Sequence, residues 1–198
     1  MKKLLYATGN AYKVQSMKER LKGLDIELVT PKDLGLHVNV EENGKTVTEN
    51  AILKAKAYYD IAKIPTIAGD SALYVKEFEE QPGLNVHRIN GKELTSEETL
   101  EYYVQSLEKV GGQSEAYYYT GLVIINEGQV YTKEIKEDTF LFTSKMSDKP
   151  SKYDTLSRIR YDMKLKKYIC ELTQEDMKNR DCTFDKECVS FIKSVLGI

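Results

Sequence analysis

The sequence has little of what marks secreted, membrane-spanning or zinc-stabilised proteins. Its 198 residues include no tryptophan, 4 prolines, 3 cysteines and 2 histidines. The odd cysteine count favours reduced thiols over a disulfide framework, and the histidines lie far from every cysteine in the sequence, which argues against a zinc site. The longest apolar runs are far shorter than the roughly 20 residues of a membrane-spanning helix. We therefore expect a cytoplasmic protein with no membrane partner.

An excess of charge of one sign is also missing. Lys and Arg number 29 against 31 Asp and Glu, which gives a formal net charge of -2. Because proteins that coat nucleic acid need a basic face, we do not expect a nucleic-acid partner, although free nucleotides are not excluded. With 41% hydrophobic residues, the chain can bury one large core. We predict a single domain over residues 1–198.

Hydrophobic periodicity predicts a β-α-β unit at the N-terminus. Residues 3–8 are mostly apolar strand formers, and apolar residues then recur at helical spacing over residues 14–21. Residues 24–29 alternate between apolar and polar as in a second strand. Thr30-Pro31 then breaks this strand and is a possible helix start.

Further along the chain, the same patterns predict two more helices before a long β-hairpin. An apolar face over residues 47–62 and the capping-box spacing from Thr95 to Glu98 mark these helices. Residues 66–68 are typical of a strand that stops at a Gly69-Asp70-Ser71 turn and continues as extended chain. The remaining predicted elements are a hairpin of residues 116–126 and 129–143 and a final helix over residues 182–196.

A possible anion cradle lies between the first strand and the first helix, at Thr8-Gly9-Asn10. Glycine lets a ligand approach the backbone closely, and the free N–H groups at the start of a helix can face an anion. Lys13 would add a mobile cation nearby. The alternative is a turn that merely caps the helix, and the two commonest glycine-rich phosphate fingerprints are absent from the sequence.

Polar side chains of both charges accompany the second helix. Glu41 and Glu42 precede it, and Asn50 and Lys54 stand at i, i+4 and therefore share one flank. Asp70 follows an apolar strand, at the kind of sheet rim where α/β proteins bind ligands. An acid, an amide and a base could thus converge on one cleft. A solvated helix face and an ordinary Asp-Ser turn are the alternatives.

Taken in order, four segments of the chain resemble the inosine triphosphate pyrophosphatase family, which hydrolyses noncanonical purine nucleoside triphosphates to monophosphate and pyrophosphate. The segments are ATGNAYK at 7–13, EENGKTVTENAILKAKA at 41–57, AGDSAL at 68–73 and QPGLNVHR at 81–88. The resemblance implies an α/β fold in which an elongated mixed β-sheet and its flanking helices form two lobes around a central cleft. It also implies a homodimer with Mg²⁺ as cofactor and a nucleoside triphosphate as substrate.

The same resemblance implies the residues of the site. Asp70 would be the proton acceptor that orients the attacking water, and Glu42 and Asp70 would bind Mg²⁺. The contacts to substrate would come from Thr8, Gly9, Asn10, Lys13, Lys54, Ser71, Arg88, Tyr153, Asp154 and Lys178.

The sequence departs from the family pattern mainly in the part that would hold the nucleobase. Gly69 stands where the family has the first of two adjacent acids, which would remove one carboxylate from the metal site. Ser151 replaces the stacking aromatic residue, and Cys182-Thr183-Phe184 replaces Ser-His-Arg. We therefore expect an Mg²⁺-dependent pyrophosphatase with an altered nucleobase pocket. A noncatalytic nucleotide-binding or regulatory protein is the alternative, and an interaction module without nucleotide affinity is a third.

Overall fold

The computed structural model of the protein describes residues 1–151 and 154–198. The chain divides into two compact units that are made from separate stretches of sequence. The first unit comprises Met1–Ser71, Tyr119–Lys136 and Thr183–Ile198, and the second comprises Ala72–Tyr118 and Glu137–Cys182. Each unit therefore combines strands and helices that are distant in the sequence.

Strands and helices follow one another along most of the described chain. The strands are β1 (Lys2–Tyr6), β2 (Ile26–Val29), β3 (Thr66–Val75), β4 (Gln81–Gly83), β5 (Arg88–Ile89), β6 (Lys92–Glu93), β7 (Gln113–Asn126), β8 (Gln129–Lys136), β9 (Phe140–Thr143), β10 (Arg160–Asp162) and β11 (Lys167–Tyr168). The α-helices are α1 (Ala11–Arg20), α2 (Val47–Ala62), α3 (Ser96–Lys109), α4 (Gln174–Asn179) and α5 (Thr183–Leu196). None of the described helices has both the length and the apolar character needed to cross a membrane.

The strands confirm the predicted mixed α/β fold. One sheet has the strand order β11-β10-β9-β7-β3-β1-β2, with β4 paired to β3 and β8 paired to β7, while β5 and β6 form a separate two-stranded sheet. The pairings of β1 with β2 and with β3 are parallel. The hairpins around β7 and β10 are antiparallel.

The predicted β-α-β unit is confirmed at the start of the first unit. Leu4 of β1 stands opposite Leu28 of β2, and Tyr6 stands opposite Ile67 of β3. Helix α1 connects β1 to β2 and fully buries Met17. Because these strands are parallel, their carboxyl ends lie at one edge of the sheet, where α/β proteins commonly bind ligands.

The possible helix start at Thr30-Pro31 is wrong, since residues 31–35 form a turn. Asp33 Oδ2 accepts a hydrogen bond from the N–H of Thr30 at 2.9 Å and another from its hydroxyl at 2.8 Å. The Thr30 hydroxyl in turn accepts the N–H of Asp33, so the contacts of a helix-starting capping box are present, but Gly35 at φ 63° ends the turn after a few residues. The stretch therefore stays a turn.

Strand β3 is continuous, so the turn predicted at Gly69-Asp70-Ser71 is also wrong. Pairing at both ends of the strand overrides the turn preference of these residues. The N–H of Ala7 donates to the carbonyl of Ile67 at 2.8 Å, and Leu73 stands opposite Gly83 of β4. Consecutive residues of a strand point to opposite faces. Asp70 and Ser71 therefore lie on different faces of β3.

The predicted β-hairpin is confirmed, with one irregularity. Strand β7 pairs with β8, where Tyr119 stands opposite Lys136, and with β9, where Ala116 stands opposite Phe140. The register shifts by one residue between these two pairings. The three residues 137–139 therefore stand opposite only two residues of β7, at 117–118, as in a β-bulge. The single long strand expected after the hairpin turn is therefore two strands.

Two buried clusters cover the two faces of the sheet in the first unit. On one face, Leu122 of β7 packs with Met17 of α1 and Ile192 of α5. On the other face, the small residues Ala51 and Ala55 of α2 pack against Ala68 of β3 and Val123 of β7. Small side chains allow a helix to approach a sheet closely, so α2 lies near the strand backbones.

Helix α2 comes closest to the sheet at Gly121 of β7. A Cβ atom at this position would lie 2.8 Å from the backbone nitrogen of Thr48 and 2.9 Å from the carbonyl carbon of Val47. No side chain fits there, which is a common reason for glycine inside a strand. This close packing sets the distance at which Asn50 and Lys54 stand from the strands.

The core of the second unit is built around α3. Its Tyr103 is fully buried and packs against Phe142 of β9, with ring centroids 5.4 Å apart. The predicted capping box at the start of α3 is present, because the side chain of Glu98 accepts the N–H of Thr95 at 2.8 Å while the Thr95 hydroxyl accepts the N–H of Glu98.

Candidate active site

Asp70 of β3 is held by two side chains of α2. Its Oδ2 accepts a hydrogen bond from Asn50 Nδ2 at 3.1 Å, and its Oδ1 is 3.0 Å from Lys54 Nζ. The carboxylate is largely shielded, with 16% of the side chain exposed. One helix therefore fixes both oxygens of a carboxylate that the sequence predicts to be catalytic.

Lys54 also joins Asp70 to the loop before α2. The distance from Lys54 Nζ to Glu42 Oε2 is 2.7 Å, so one ammonium group bridges two carboxylates. Glu42 is the more exposed of the two, at 43% of its side chain. The structure thus brings together the acid, the amide and the base that the sequence analysis expected to converge.

The loop that carries Glu42 is fastened to the first turns of α2. Thr46 caps the helix and accepts the N–H of Glu49 at 3.1 Å. The N–H of Lys45 donates to Glu49 Oε2 at 2.5 Å, and the N–H of Gly44 donates to Asn50 Oδ1 at 2.8 Å. The sequence pattern indicated the helix but not these contacts, because they join loop backbone to helix side chains.

The Thr8-Gly9-Asn10 segment follows β1 and forms an ordered turn. Thr8 Oγ1 accepts the N–H of Asn10 at 3.2 Å, and Asn10 Oδ1 accepts the N–H groups of Tyr12 at 2.9 Å and Lys13 at 3.2 Å. Two N–H groups of the helix start that were expected to face an anion are therefore taken by the Asn10 cap. A Cβ at Gly9 would meet nothing within 4 Å, so the protein itself does not require glycine there.

Ser71 does not belong to the acid cluster. Its Oγ lies 2.8 Å from Oγ1 of Thr120, a residue that is 3% exposed. The alternation of β3 directs this contact to the face opposite Asp70. To contact a substrate, the Ser71 hydroxyl would therefore have to give up its hydrogen bond to Thr120 or make a second hydrogen bond beside it.

A side chain at position 69 would point away from Asp70, which does not support the expectation that an acid at this position would join the metal site. A Cβ at this position would lie 3.0 Å from Leu122 Cδ2, in the buried cluster that includes Ile67. An acidic side chain here would point toward apolar residues. Position 69 is therefore not on the same face as Glu42 and Asp70.

The other predicted contacts belong to the second unit. Arg88 is exposed in β5, and its backbone N–H donates to Asn85 O at 3.1 Å. Asp154 forms an ion pair with Arg160, while its backbone N–H donates to Ser151 Oγ at 3.3 Å. Tyr153 and the side chain of Lys178 lie outside the described part of the chain.

One position that replaces a base-reading residue of the family, residue 184, serves helix packing in the first unit. Phe184 of α5 lies beneath the guanidinium of Arg20, 4.9 Å from the ring centroid to Cζ. Arg20 also forms an ion pair with Asp185. Both contacts attach α5 to α1, so Phe184 is committed to structure rather than to a polar pocket.

The polar residues around α4 form pairs with each other. Oδ2 of Asp162 in β10 accepts a hydrogen bond from Arg180 Nε at 2.9 Å. Nζ of Lys167 in β11 lies 2.8 Å from Oδ2 of Asp176 in α4. Burial acts to raise the pKa of Asp162, but hydrogen bonds from the Leu165 N–H, Arg180 and the Lys164 N–H outweigh it and hold the pKa below its usual range. These pairs fasten the ends of α4 to the β10–β11 hairpin.

Glu134 is a polar residue near the start of α2 that the sequence did not single out. It accepts hydrogen bonds from the hydroxyls of Thr48 and Tyr119, the latter at 2.9 Å, and these bonds hold its pKa below the ordinary value. Strand alternation in β8 could have placed it on the α2 face, but nothing in the sequence marked its partners.

A metal ion at this site would need ligands from outside the protein. Within residues 1–151 and 154–198 there is no group of three or more His, Cys, Asp or Glu side chains arranged to hold a metal. Glu42 and Asp70 supply two carboxylates, which in this structure share the ammonium group of Lys54. Magnesium is usually bound by one or two carboxylates together with substrate phosphates and water. The residues therefore fit a divalent ion that the substrate helps to coordinate.

In α/β folds, ligands commonly bind near the carboxyl ends of parallel strands, and Asp70 follows the part of β3 that pairs in parallel with β1. The family model described as Ham1 family matches residues 4–180, and the chain belongs to this family. The predicted relationship to the inosine triphosphate pyrophosphatases is thereby confirmed.

Named relatives support this assignment. A dITP/XTP pyrophosphatase of Thermoanaerobacter pseudethanolicus is 29% identical over 179 residues, which cover 90% of this chain and 88% of the relative. A dITP/XTP pyrophosphatase of Leptospira interrogans is 36% identical over 127 residues, which cover 64% of each chain. The match to the latter thus spans less than two thirds of its length.

Solved structures share the fold. A HAM1 protein from Coxiella burnetii has a TM-score of 0.78 at 20% identity, with 100% of this chain and 99% of that chain covered. The Staphylococcus aureus Ham1 protein has a TM-score of 0.75 at 22% identity, with 99% and 98% covered. At these identities the likeness concerns the fold alone.

Proposed function

We propose that this chain hydrolyses nucleoside triphosphates to nucleoside monophosphate and pyrophosphate, with Mg²⁺ as cofactor and noncanonical purine nucleotides as substrates. The observation that carries the proposal is the cluster in which Lys54 bridges Glu42 and Asp70 at 2.7 and 3.0 Å. Family membership and the relatives named dITP/XTP pyrophosphatases support the same reaction.

In the proposed reaction, Asp70 accepts a proton from the water that attacks the α-phosphorus. The new bond forms between this water oxygen and phosphorus, and the bond to the oxygen bridging the α- and β-phosphates breaks. Asp70 suits this role because Asn50 and Lys54 fix its two oxygens, which orients its lone pairs. Pyrophosphate leaves with the electron pair of the broken bond.

The positive side chains stabilise the charge on the leaving group. A lysine ammonium has three N–H donors, and Lys54 uses two of them on Glu42 and Asp70, so one can donate to a phosphate oxygen. Lys13, at the start of α1, would act on the same phosphates. Fixed positive charge placed where negative charge develops is the main catalytic device of phosphoryl transfer.

Glu42 and Asp70 are the residues that would hold Mg²⁺. When bound together with phosphate oxygens and water, the ion would neutralise negative charge on the triphosphate. The Thr8-Gly9-Asn10 turn would contact the phosphates through the Thr8 hydroxyl and the bare backbone at Gly9. The further proposed substrate contacts are Ser71, Arg88, Tyr153, Asp154 and Lys178.

The nucleobase part of the site is proposed to differ from the family pattern. Ser151 accepts the N–H of Asp154, and Phe184 packs beneath Arg20, so neither presents the aromatic or charged group expected at its position. We also propose that the protein is a cytoplasmic homodimer with one domain of two lobes, as the family resemblance implies.

A pyrophosphate-release screen tests this function. The protein is incubated with Mg²⁺ and each of ITP, XTP, dITP and the common nucleoside triphosphates, with the Asp70→Asn variant as control. We expect release that requires Mg²⁺ and Asp70. Nucleotide-dependent thermal stabilisation without release would favour a noncatalytic nucleotide-binding protein, and no response to any nucleotide would favour an interaction module.

A further inference from the structure

Asn50 is a buried polar residue with a defined partner at each end of its side-chain amide. Asn50 lies near the start of α2, and only 5% of the residue is exposed to solvent. The amide oxygen accepts the N–H of Gly44 at 2.8 Å, and the amide nitrogen donates to Asp70 Oδ2 at 3.1 Å. A buried polar group with both ends satisfied contributes to one specific local arrangement.

The contact with Gly44 decides which way the amide points. If the amide were turned over, its oxygen would face the carboxylate of Asp70 and its NH₂ group would face the N–H of Gly44. Both contacts would then be unfavourable, because like groups would oppose each other. The Gly44 N–H therefore keeps a donor directed at Asp70.

Gly44 can reach Asn50 only because it lacks a side chain. A Cβ at Gly44 would lie 2.7 Å from Asn50 Oδ1 and 2.7 Å from Glu49 Cβ. The loop therefore lies directly against α2, and two residues earlier it presents Glu42 to Lys54. Asn50 thus contacts both the loop that carries one carboxylate and the strand residue that carries the other.

We propose that Asn50 is a positioning residue that fixes the orientation of the Asp70 carboxylate and ties it to the Glu42 loop. The proposal rests on the proposed hydrolytic function. The χ2 torsion of an aspartate is soft, so a carboxylate without a fixed donor on Oδ2 samples a range of orientations. Even small misplacement of a reacting group lowers turnover strongly.

The kinetic test uses two variants of Asn50 and one control. Asn50→Asp keeps the shape and an acceptor for the Gly44 N–H but loses the donor to Asp70, whereas Asn50→Leu loses both contacts. We expect each to lower kcat about 10- to 100-fold while KM for the triphosphate changes by less than about threefold.

The control is Thr46→Ala, which removes the N-cap of the same helix without touching Asp70. It should lower Tm by about 2–4 °C and leave kcat within about threefold of the wild type. A purely structural role for Asn50 would make its variants resemble this control. Unchanged kcat in Asn50→Asp would overturn the proposal.

A second readout does not depend on activity. By NMR, the side-chain NH₂ protons of Asn50 should exchange slowly with solvent in the wild type and fast in Asp70→Ala, while the Gly44 amide stays protected in both. Exchange of the NH₂ protons that is unaffected by Asp70→Ala would show that the bond to Asp70 is absent and would overturn the proposal. A failed pyrophosphate screen would instead contradict the proposed function, so the two failures are distinguishable.

Discussion

Charges are balanced differently in the acid cluster of the first unit and in the ion pairs around α4 in the second unit. In the first unit, Glu42 and Asp70 share the single ammonium of Lys54, which leaves one negative charge in excess within this cluster. In the second unit, Asp162 pairs with Arg180 and Lys167 pairs with Asp176, one charge to one charge.

This difference separates a cluster that can still accept a cation from pairs that hold the fold. A cluster with excess negative charge gains from a further cation, whereas a balanced pair is already satisfied. The Glu42–Lys54–Asp70 cluster of the first unit therefore suits binding and chemistry. Asp162, Arg180, Lys167 and Asp176 of the second unit are instead held in structural pairs.

The largest expected effect comes from making the same substitution in both units. Asp70→Asn should lower kcat about 10²- to 10⁴-fold, because it removes the proposed proton acceptor but keeps its shape. The matched variant Asp162→Asn should destabilise the protein by about 1–3 kcal/mol through the loss of charge at Arg180, with no selective loss of kcat. Pyrophosphate release and thermal unfolding measure the two quantities. Equal kinetic losses in the two variants would contradict the comparison.

The next effect tests the shared ammonium. Lys54→Gln should weaken triphosphate binding about 10- to 100-fold, since a charged hydrogen-bond donor is lost. Without nucleotide, the same variant should bind Mn²⁺, which serves here as a probe of the proposed Mg²⁺ site, more tightly. Glu42 and Asp70 would no longer be paired with the ammonium group of Lys54.

Calorimetric titration of nucleotide and of Mn²⁺ measures both effects of Lys54→Gln. Lys56→Gln is the control on the same helix, because Lys56 is 67% exposed and pairs only with Asp60 among the ion pairs described. Weaker Mn²⁺ binding in Lys54→Gln than in this control would show that Lys54 does not compete with a cation.

A smaller effect concerns the nucleobase. The ratio of kcat/KM for ITP over ATP should stay below about a hundredfold, because strong discrimination needs buried polar groups that are left unpaired by the wrong base. Ser151 and Phe184 are instead used in internal contacts. Steady-state kinetics with both substrates decide the matter. A larger ratio would mean that other residues rebuild the base pocket.

The smallest expected effect concerns Gly69. Gly69→Asp should lower stability by about 1–3 kcal/mol, because the new side chain crowds Leu122. It should not tighten Mn²⁺ binding, since it faces away from Asp70. Gly9→Ala is the stability control, because a Cβ there meets nothing within 4 Å. Tighter Mn²⁺ binding in Gly69→Asp would show that an acid at this position can reach the metal.

Local patterns in the sequence predicted much of the fold. Periodicity identified the β-α-β unit and the helices α2, α3 and α5, and spacing identified the Thr95 capping box. The turn expected at Gly69-Asp70-Ser71 failed because strand pairing at both ends outweighs local preference. The short strands β10 and β11 and the helix α4 were missed, since non-local pairs such as Asp162 with Arg180 hold them.

The candidate site was predictable in part for the same reason. The i, i+4 spacing of Asn50 and Lys54 indicated that they share a flank of α2. Their contact with Asp70 depends on how closely α2 lies to β3, which follows from tertiary packing at residues such as Gly121. The Gly44 contact joins loop backbone to a helix side chain and leaves no periodic signal in the sequence.

The assembly of the first unit from three separate stretches of chain has a consequence for folding kinetics. One of its two buried clusters joins Leu4, Leu122 and Ile192, which come from residues 1–71, 119–136 and 183–198. Contacts between such distant residues require long loops to close first, and this slows folding. This cluster, on the face of β3 opposite Asp70, is therefore completed only when α5 packs against the sheet. During refolding, amides of β1 and α5 should gain protection from solvent exchange in the same slow phase.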